Sequence, residues 1–338
     1  MSPSKPKVLL LGEIDHERSK QAFESLSSIA DLVKPKATNR EEFLEEARSG
    51  AFDGVKACYR TFGSIGITGR IEGEVCKVLG EKGLRFVCHN GAGYDQCNIA
   101  DCTANNIRVS NVPTAVDAAT ADTAIFLMLG ALRSFNYPLL NLRKGDFRGK
   151  KPPPLGHDPE GKVLGILGMG GIGRNMKKKA EAFGMKVQYH NRNLLSEELS
   201  GGAKYVGFEE LLKTSDVLSL NLPLNKSTHH MISTPQFEMM KDSVVIVNTA
   251  RGAVIDEAAL VKALDSGKVF SCGLDVYEEE PKIHPGLVDN PHVTLLPHVG
   301  TWTVETQTEM ELWNIGNVRA ALETGKLNSP VPEQKDMK

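Results

Sequence analysis

The hexapeptide Gly168-Met169-Gly170-Gly171-Ile172-Gly173 constrains this chain more than any other stretch of it. Alone, G-x-G-x-x-G marks only a glycine-rich turn. Here it directly follows the apolar run Val163–Leu167 (VLGIL) and opens a helical pattern that continues to about Phe183. Strand, tight turn and helix in that order are the context a bound dinucleotide requires. Gly168 permits the turn, Gly170 lets the backbone approach a pyrophosphate, and Gly173 lets the helix pack close to the strand. The helix N-terminus offers unpaired N–H groups and positive potential to the phosphates.

The rest of the chain repeats the same alternation. Apolar runs at Lys7–Leu11, Leu32–Val33, Val55–Tyr59, Arg85–Cys88 and Ile107–Ser110 are separated by helical stretches, among them Ser19–Ala30 and a stretch capped by Asn39. From Val163 it restarts, with strand candidates at 186–190, 217–223, 243–250, 270–276 and 293–297. Short apolar strands separated by helices imply parallel pairing with crossover connections. The fold class is therefore α/β, with two doubly wound parallel-sheet domains. A length of 338 residues agrees with two domains. A buried helix is expected over Asp117–Leu132, a Pro/Gly-rich loop over 144–162, and a tail helix over Thr303–Leu322.

Several classes are disfavoured. A formal charge of −2 gives no general electrostatic drive toward nucleic acid. The longest apolar run, Ala124–Leu132, is far short of the roughly 20 residues a membrane span needs. The start, MSPSKPKVLLLG, is too short in apolar residues for a secretory signal, and the end shows no address, so the expected location is the cytoplasm. The six cysteines, Cys58, Cys76, Cys88, Cys97, Cys102 and Cys272, form no C-x-x-C and read as reduced thiols.

An NAD site usually places an acid at the end of the second strand, about 20 residues on, to hold the adenosine ribose. Here Lys186–His190 is followed by Asn191 and Arg192, and no acid lies between Gly184 and Ser196. Asn191 does not repel a 2′-phosphate, and Arg192 can bind one by charge-assisted hydrogen bonds. NADPH is therefore favoured over NADH.

Three later segments carry candidate chemistry at strand ends: NTARG with Arg251, GLDVYEEEP with Asp275 and Glu280, and LPHVG with His298. Ligands of doubly wound sheets sit at the carboxyl ends of strands, so the three can converge. A ketone beside a carboxylate needs a cation to hold and polarise it, and Arg251 can do so bidentately. Hydride delivery to the carbonyl carbon creates an alkoxide, which an imidazolium at His298 can protonate. A carboxylate at Glu280 would favour that imidazolium and fix its orientation.

GMGGIG, NLPL, VNTARGAVIDE, GLDVYEEEP and LPHVG together resemble the D-isomer-specific 2-hydroxyacid dehydrogenase family, in the family's order. The likeness is greatest to fungal glyoxylate/hydroxypyruvate reductases, through YHNRN (189–193), KYVGFEELLKTSD (204–216) and VPEQ near the end. The resemblance implies that Arg251, Glu280 and His298 are the catalytic trio and that Asp275 holds the nicotinamide carboxamide. Gly168, Met169, Gly170, Gly171 and Ile172 would cradle the pyrophosphate. Pro223, Thr228, Thr249, Ala250 and Gly300 would line the cofactor cleft, and Ala92 and Gly93 in NGAGYD would offer N–H groups to a substrate carboxylate. It also implies a Rossmann nucleotide domain (113–301) inserted into a flavodoxin-like substrate domain (1–112 plus 302–338), hinge closure, and a homodimer.

The resulting expectation is NAD(P)H-dependent reduction of a small 2-oxo acid, glyoxylate or hydroxypyruvate first, with no metal. Two alternatives share these features: a D-mandelate-type dehydrogenase for larger aromatic substrates, and a dinucleotide-sensing protein like the corepressors of this fold. Tyr59 and Arg60, read as a strand end, are placed at the substrate pocket, and Trp302 beside it. His229 and His230 are read as pointing apart on a strand with no carboxylate at ligand spacing, and His292 as a loop residue.

Overall fold

A computed structural model describes residues 5–147 and 155–337; Pro152, Pro153 and Pro154 of the expected loop lie outside the described residues. The chain divides into two compact units, residues up to 116 with residues from 302 onward, and residues 117–301. The first crossing falls at 116/117, against 112/113 expected from the sequence.

The first unit holds β1 (Lys7–Leu11), β2 (Asp31–Val33), β3 (Val55–Thr61), β4 (Phe86–Asn90) and β5 (Arg108–Ser110). They form one parallel sheet in the order β2-β1-β3-β4-β5. That is the flavodoxin-like order, whose direction of winding reverses between β1 and β3. Period-2 alternation feeds two cores. Leu9, Leu11, Cys58 and Val87 meet Phe43, Leu44, Val75 and Leu79 on one face. Val8, Ala57, Tyr59 and Cys88 meet Phe23, Ile315, Val318 and Ala321 on the other. Both faces are covered, which is why the strands read as continuous apolar runs.

Local chemistry sets the helix ends. Asn39 caps the helix Arg40–Arg48 by accepting from the Glu42 N–H. The helix expected over Ser19–Ala30 instead spans Glu17–Glu24 and tightens to a 3₁₀ turn over Ser25–Ser28. There the Ser25 and Ser28 hydroxyls donate back to the carbonyls of Ala22 (2.6 Å) and Ser25 (2.8 Å), competing with the helical pattern.

The second unit holds β6 (Val163–Leu167), β7 (Lys186–His190), β8 (Lys204–Tyr205), β9 (Val217–Leu220), β10 (Val244–Asn248), β11 (Val269–Leu274) and β12 (Val293–Leu295). All pair in parallel, in the order β12-β11-β10-β9-β6-β7-β8. The reversal lies between β6 and β9. Along β10, Val244 and Ile246 enter one core, while Val245 and Val247 enter the other. The helix Asp117–Leu132 fills the second of these cores with Ala121, Ala124, Leu127 and Met128. Among the described residues no single helix is long and apolar enough to cross a membrane.

Candidate active site

The glycine turn after β6 behaves as its spacing requires. Gly168 has φ +97°, and a Cβ there would lie 2.7 Å from the Asn221 carbonyl oxygen. A Cβ at Gly173 would lie 2.7 Å from the Gly168 carbonyl oxygen, so the helix Gly171–Glu181 packs against its own turn. At Gly170 a Cβ would meet open space, so sterics of the fold do not exclude a side chain there. The cradle fits a pyrophosphate that needs this opening. Gly171 carries a further constraint that its position in the motif does not announce: a Cβ there would fall 1.8 Å from the Asp117 carboxylate. Burial raises the Asp117 carboxyl above its usual range, against the opposing charge of Arg174.

Asn191 follows β7 and reaches back to the turn, its Oδ1 accepting from the Met169 N–H at 2.6 Å. Arg192 beside it is exposed, and Ile172 is half-buried. After β9, Pro223 is exposed and Thr228 is buried. The Thr228 hydroxyl donates to the Pro223 carbonyl at 2.7 Å and accepts from the Asn225 N–H at 2.9 Å. It therefore holds this loop. Thr249, after β10, has a buried hydroxyl with no hydrogen-bond partner, a polar atom available to a ligand. Ala250 next to it is half-buried.

Arg251 is set by Asn248, at the end of β10. The Asn248 Oδ1 accepts from the Ala250 N–H (3.0 Å), and its Nδ2 donates to the Arg251 carbonyl (2.9 Å). Gly252 lets this turn press against the next strand's loop, since a Cβ would stand 1.8 Å from the Tyr277 carbonyl carbon. That loop carries Glu280, whose Oε1 accepts from the Tyr277 N–H at 3.0 Å. Its Oε2 lies 2.8 Å from Nδ1 of His298, which follows β12. Burial pushes the Glu280 carboxyl up, but the His298 hydrogen bond, its charge, the Tyr277 N–H and Arg251 together hold it below its usual range. Arg251, Glu280 and His298 thus come together at the carboxyl ends of three neighbouring strands.

His298 has φ +57°, a left-handed backbone that costs a non-glycine residue roughly 1–2 kcal/mol. Asp275 holds it there. The Asp275 carbonyl accepts from the His298 N–H, and its carboxylate oxygens accept from the Val299 and Gly300 N–H groups, all at 2.8 Å. Burial raises the Asp275 carboxyl above its usual range in spite of those two bonds. A Cβ at Gly300 would lie 2.9 Å from the Asp275 Oδ2, so only glycine lets the carboxylate come this close.

Residues 125–300 match the family described as D-isomer specific 2-hydroxyacid dehydrogenase, NAD binding domain. The chain is 56% identical over 332 residues to 4-methyl-2-oxopentanoate reductase A of Aspergillus oryzae, covering 98% of this chain and 99% of that one. The chain belongs to the D-isomer-specific 2-hydroxyacid dehydrogenases. A crystal structure of a glyoxylate reductase from Paecilomyes thermophila superposes with a TM-score of 0.94 at 54% identity, covering 98% of this chain and 100% of that one. An NADPH-dependent glyoxylate/hydroxypyruvate reductase from Sinorhizobium meliloti, in complex with NADP and malonate, gives 0.84 at 28% identity, covering 98% of each.

In the first unit of this dehydrogenase, Ala92 and Gly93 lie on the loop after β4. The carbonyls of Gly91, Ala92 and Gly93 are each tied down, to the Val112 N–H (2.9 Å), the Asn111 Nδ2 (2.7 Å) and the His89 Nε2 (2.9 Å). Tyr59 does not line a pocket. The strand runs on to Thr61, so Tyr59 lies within the sheet, fully buried, its ring packed edge-on against Phe23 at 5.8 Å. Arg60, next along β3, is also fully buried. Trp302 is exposed.

His229 and His230 are not on a strand. A φ of +49° at His230 brings their rings into a stack, with centroids 4.0 Å apart. The fold also supplies the carboxylate that local spacing lacked: Glu278 Oε1 lies 2.5 Å from His230 Nε2, and one donor atom from each of the three residues lies within 4.8 Å of the others. Glu278 is itself braced, because its N–H donates to the Glu257 carboxylate at 2.7 Å. His292 stacks on Tyr137 at 6.2 Å.

Proposed function

We propose that this dehydrogenase reduces small 2-oxo acids, glyoxylate and hydroxypyruvate first, to D-2-hydroxy acids, with NADPH preferred. The observation that carries the reading is the His298–Glu280 pair, 2.8 Å apart, with Arg251 acting on the same carboxylate. A bound reduced nicotinamide supplies the hydride. Arg251 holds and polarises the oxo acid. With Nδ1–H donated to Glu280, the proton that passes to the carbonyl oxygen is the one on His298 Nε2. The hydride adds to the carbonyl carbon, the C=O π bond breaks, and the proton completes the hydroxyl. Glu280 balances the imidazolium before transfer, and Asp275 holds the His298 turn in place. Ala92 and Gly93 receive the substrate carboxylate.

Arg192 and the lack of an acid at Asn191 favour NADPH, and the Sinorhizobium reductase with bound NADP supports that choice. The exposed apolar side chains Phe126, Leu139, Leu142 and Leu155 support a homodimer formed through the second unit. A second reading, a branched aliphatic oxo acid as preferred substrate, is favoured by the 56% identity to the Aspergillus 4-methyl-2-oxopentanoate reductase.

Two assays test these readings. Initial rates with glyoxylate, hydroxypyruvate, 4-methyl-2-oxopentanoate and benzoylformate, each with NADPH and NADH, rank the substrates and cofactors. In His298→Gln, kcat should fall on the order of 10²- to 10⁴-fold while NADPH binding stays near wild type. Retained turnover in that variant would overturn the assignment of the proton donor.

A further inference from the structure

Arg60 is among the largest fully buried side chains of the chain, and it carries a charge that a protein cannot remove by deprotonation. Its two partners are uncharged acceptors. Nη1 donates to His89 Nδ1 at 2.9 Å, and Nη2 donates to Gln96 Oε1 at 2.8 Å. Its Nε has no partner. A buried guanidinium whose hydrogen bonds go to uncharged acceptors is costly unless something nearby uses the charge.

The hydrogen bonds fix the state of His89. An imidazole nitrogen that accepts from a guanidinium carries no proton, so His89 is neutral and its proton sits on Nε2. That N–H donates to the Gly93 carbonyl at 2.9 Å. Gly91 makes room for the relay, because a Cβ there would lie 2.9 Å from His89 Nε2. Arg60 therefore selects the one tautomer of His89 that can hold the Gly93 carbonyl.

The loop geometry then follows from peptide planarity. In a trans peptide the N–H points opposite to the preceding carbonyl. The carbonyls of Gly91, Ala92 and Gly93 are each bound, by the Val112 N–H, the Asn111 Nδ2 and the His89 Nε2. The N–H groups of Ala92, Gly93 and Tyr94 therefore each point away from the donor that binds the preceding carbonyl, three successive backbone donors that an anion can use.

We propose that Arg60 is a positioning residue for a substrate carboxylate: through His89 it sets the last of these peptides, and its buried charge raises the potential at the loop. This rests on the reading that Ala92 and Gly93 receive the carboxylate. It assigns Arg60 a role without contact with substrate, and it makes the loop selective for oxo acids over their uncharged analogues.

The test compares wild type, Arg60→Met and Arg60→Lys with glyoxylate and with methyl glyoxylate, which lacks the charge. In Arg60→Met, KM for glyoxylate should rise about tenfold or more with kcat changed less than about threefold, the pattern of lost uniform binding. KM for the ester and Kd for NADPH should each move less than about twofold. Arg60→Lys should fall between, since it keeps the charge but loses the fork; if Arg60→Met does not fold, the acid-to-ester split in Arg60→Lys decides. Equal losses for acid and ester would reduce Arg60 to a purely structural group, and no loss for either would remove it from binding; both overturn the proposal. Equal KM for acid and ester in wild type would instead refute the loop as the carboxylate site, and the proposal with it. If wild type turns over no oxo acid, the proposed reaction fails separately, and oxalate-induced thermal stabilisation decides for Arg60. A shift present in wild type and lost in Arg60→Met supports the proposal; a shift equal in both, or absent from wild type, overturns it.

Discussion

His298 Nδ1 and Glu280 Oε2 stand 2.8 Å apart, although each residue belongs to the loop of a different strand. The pair leaves a signature in stability as well as in catalysis. Glu280 titrates below its ordinary value of 4.5 in the folded chain, although burial works against this. A carboxylate of lowered pKa contributes stability above its unfolded pKa, and that contribution is lost as pH falls through the folded value. The difference in melting temperature between wild type and Glu280→Gln should therefore be largest above about pH 5 and shrink steadily toward pH 3. A difference that stays constant over that range would contradict the ionised pair.

Cofactor choice should turn on Arg192. On the proposed NADPH reading, replacing it by Asp would remove a charge-assisted bond of about 1.5–3 kcal/mol to the 2′-phosphate and add repulsion. The ratio of kcat/KM for NADPH to that for NADH should fall by about 10- to 100-fold or more. An unchanged ratio would show that the 2′-phosphate, if bound, is held elsewhere.

The glycines of the turn should separate into two kinds. Gly170→Ala places a methyl in open space, so melting should stay near wild type while Kd for the dinucleotide rises about tenfold or more. Gly173→Ala drives a methyl to 2.7 Å from the Gly168 carbonyl oxygen, so this variant should lose stability as well. Calorimetry of binding and thermal melts on both proteins check the distinction.

All six thiols are free and buried. Burial raises the Cys88 thiol to about 12 and the Cys97 thiol to about 11, leaving little thiolate at pH 8. Ellman's reagent should titrate almost nothing in the native protein at pH 8 and six equivalents after denaturation. Rapid native reaction at any one cysteine would reveal an opening of the core around it.

Tyr59→Phe should leave KM for every oxo acid within about twofold of wild type, because Tyr59 packs inside a core of the first unit, beside Phe23, rather than against a ligand. A selective change for aromatic substrates would restore it to the pocket.

Much of this molecule was legible in the sequence because its strands are buried on both faces. Lys7–Leu11, Val163–Leu167 and Lys186–His190 are found at the residues expected, and so is the helix Asp117–Leu132. What failed was local. Treating Val55–Tyr59 as a whole strand moved Tyr59 and Arg60 to its rim, whereas the strand continues through Arg60, which is fully buried, to Thr61. β8 has only two exposed residues and leaves no apolar run to read. Long-range pairings were invisible for a different reason. Nothing near His230 announces Glu278, and nothing near His298 announces that Asp275 holds its backbone; both contacts arise from strand order. Asn248 was the one omission with a readable signal, a polar residue closing an otherwise apolar strand directly before Arg251.

The second unit is one unbroken stretch of chain, whereas the first takes its last helix, Val304–Thr324, from the far side of that stretch. Ile315, Val318 and Ala321 on this helix belong to the core that also holds Val8, Ala57 and Cys88. During synthesis the amino-terminal sheet therefore leaves the ribosome with one apolar face covered only in part, by residues such as Phe23 and Leu26, and it stays so until the inserted unit and then Val304–Thr324 have been made. The inserted unit is complete earlier and can fold first, so the order of translation runs opposite to the order in which the two cores close.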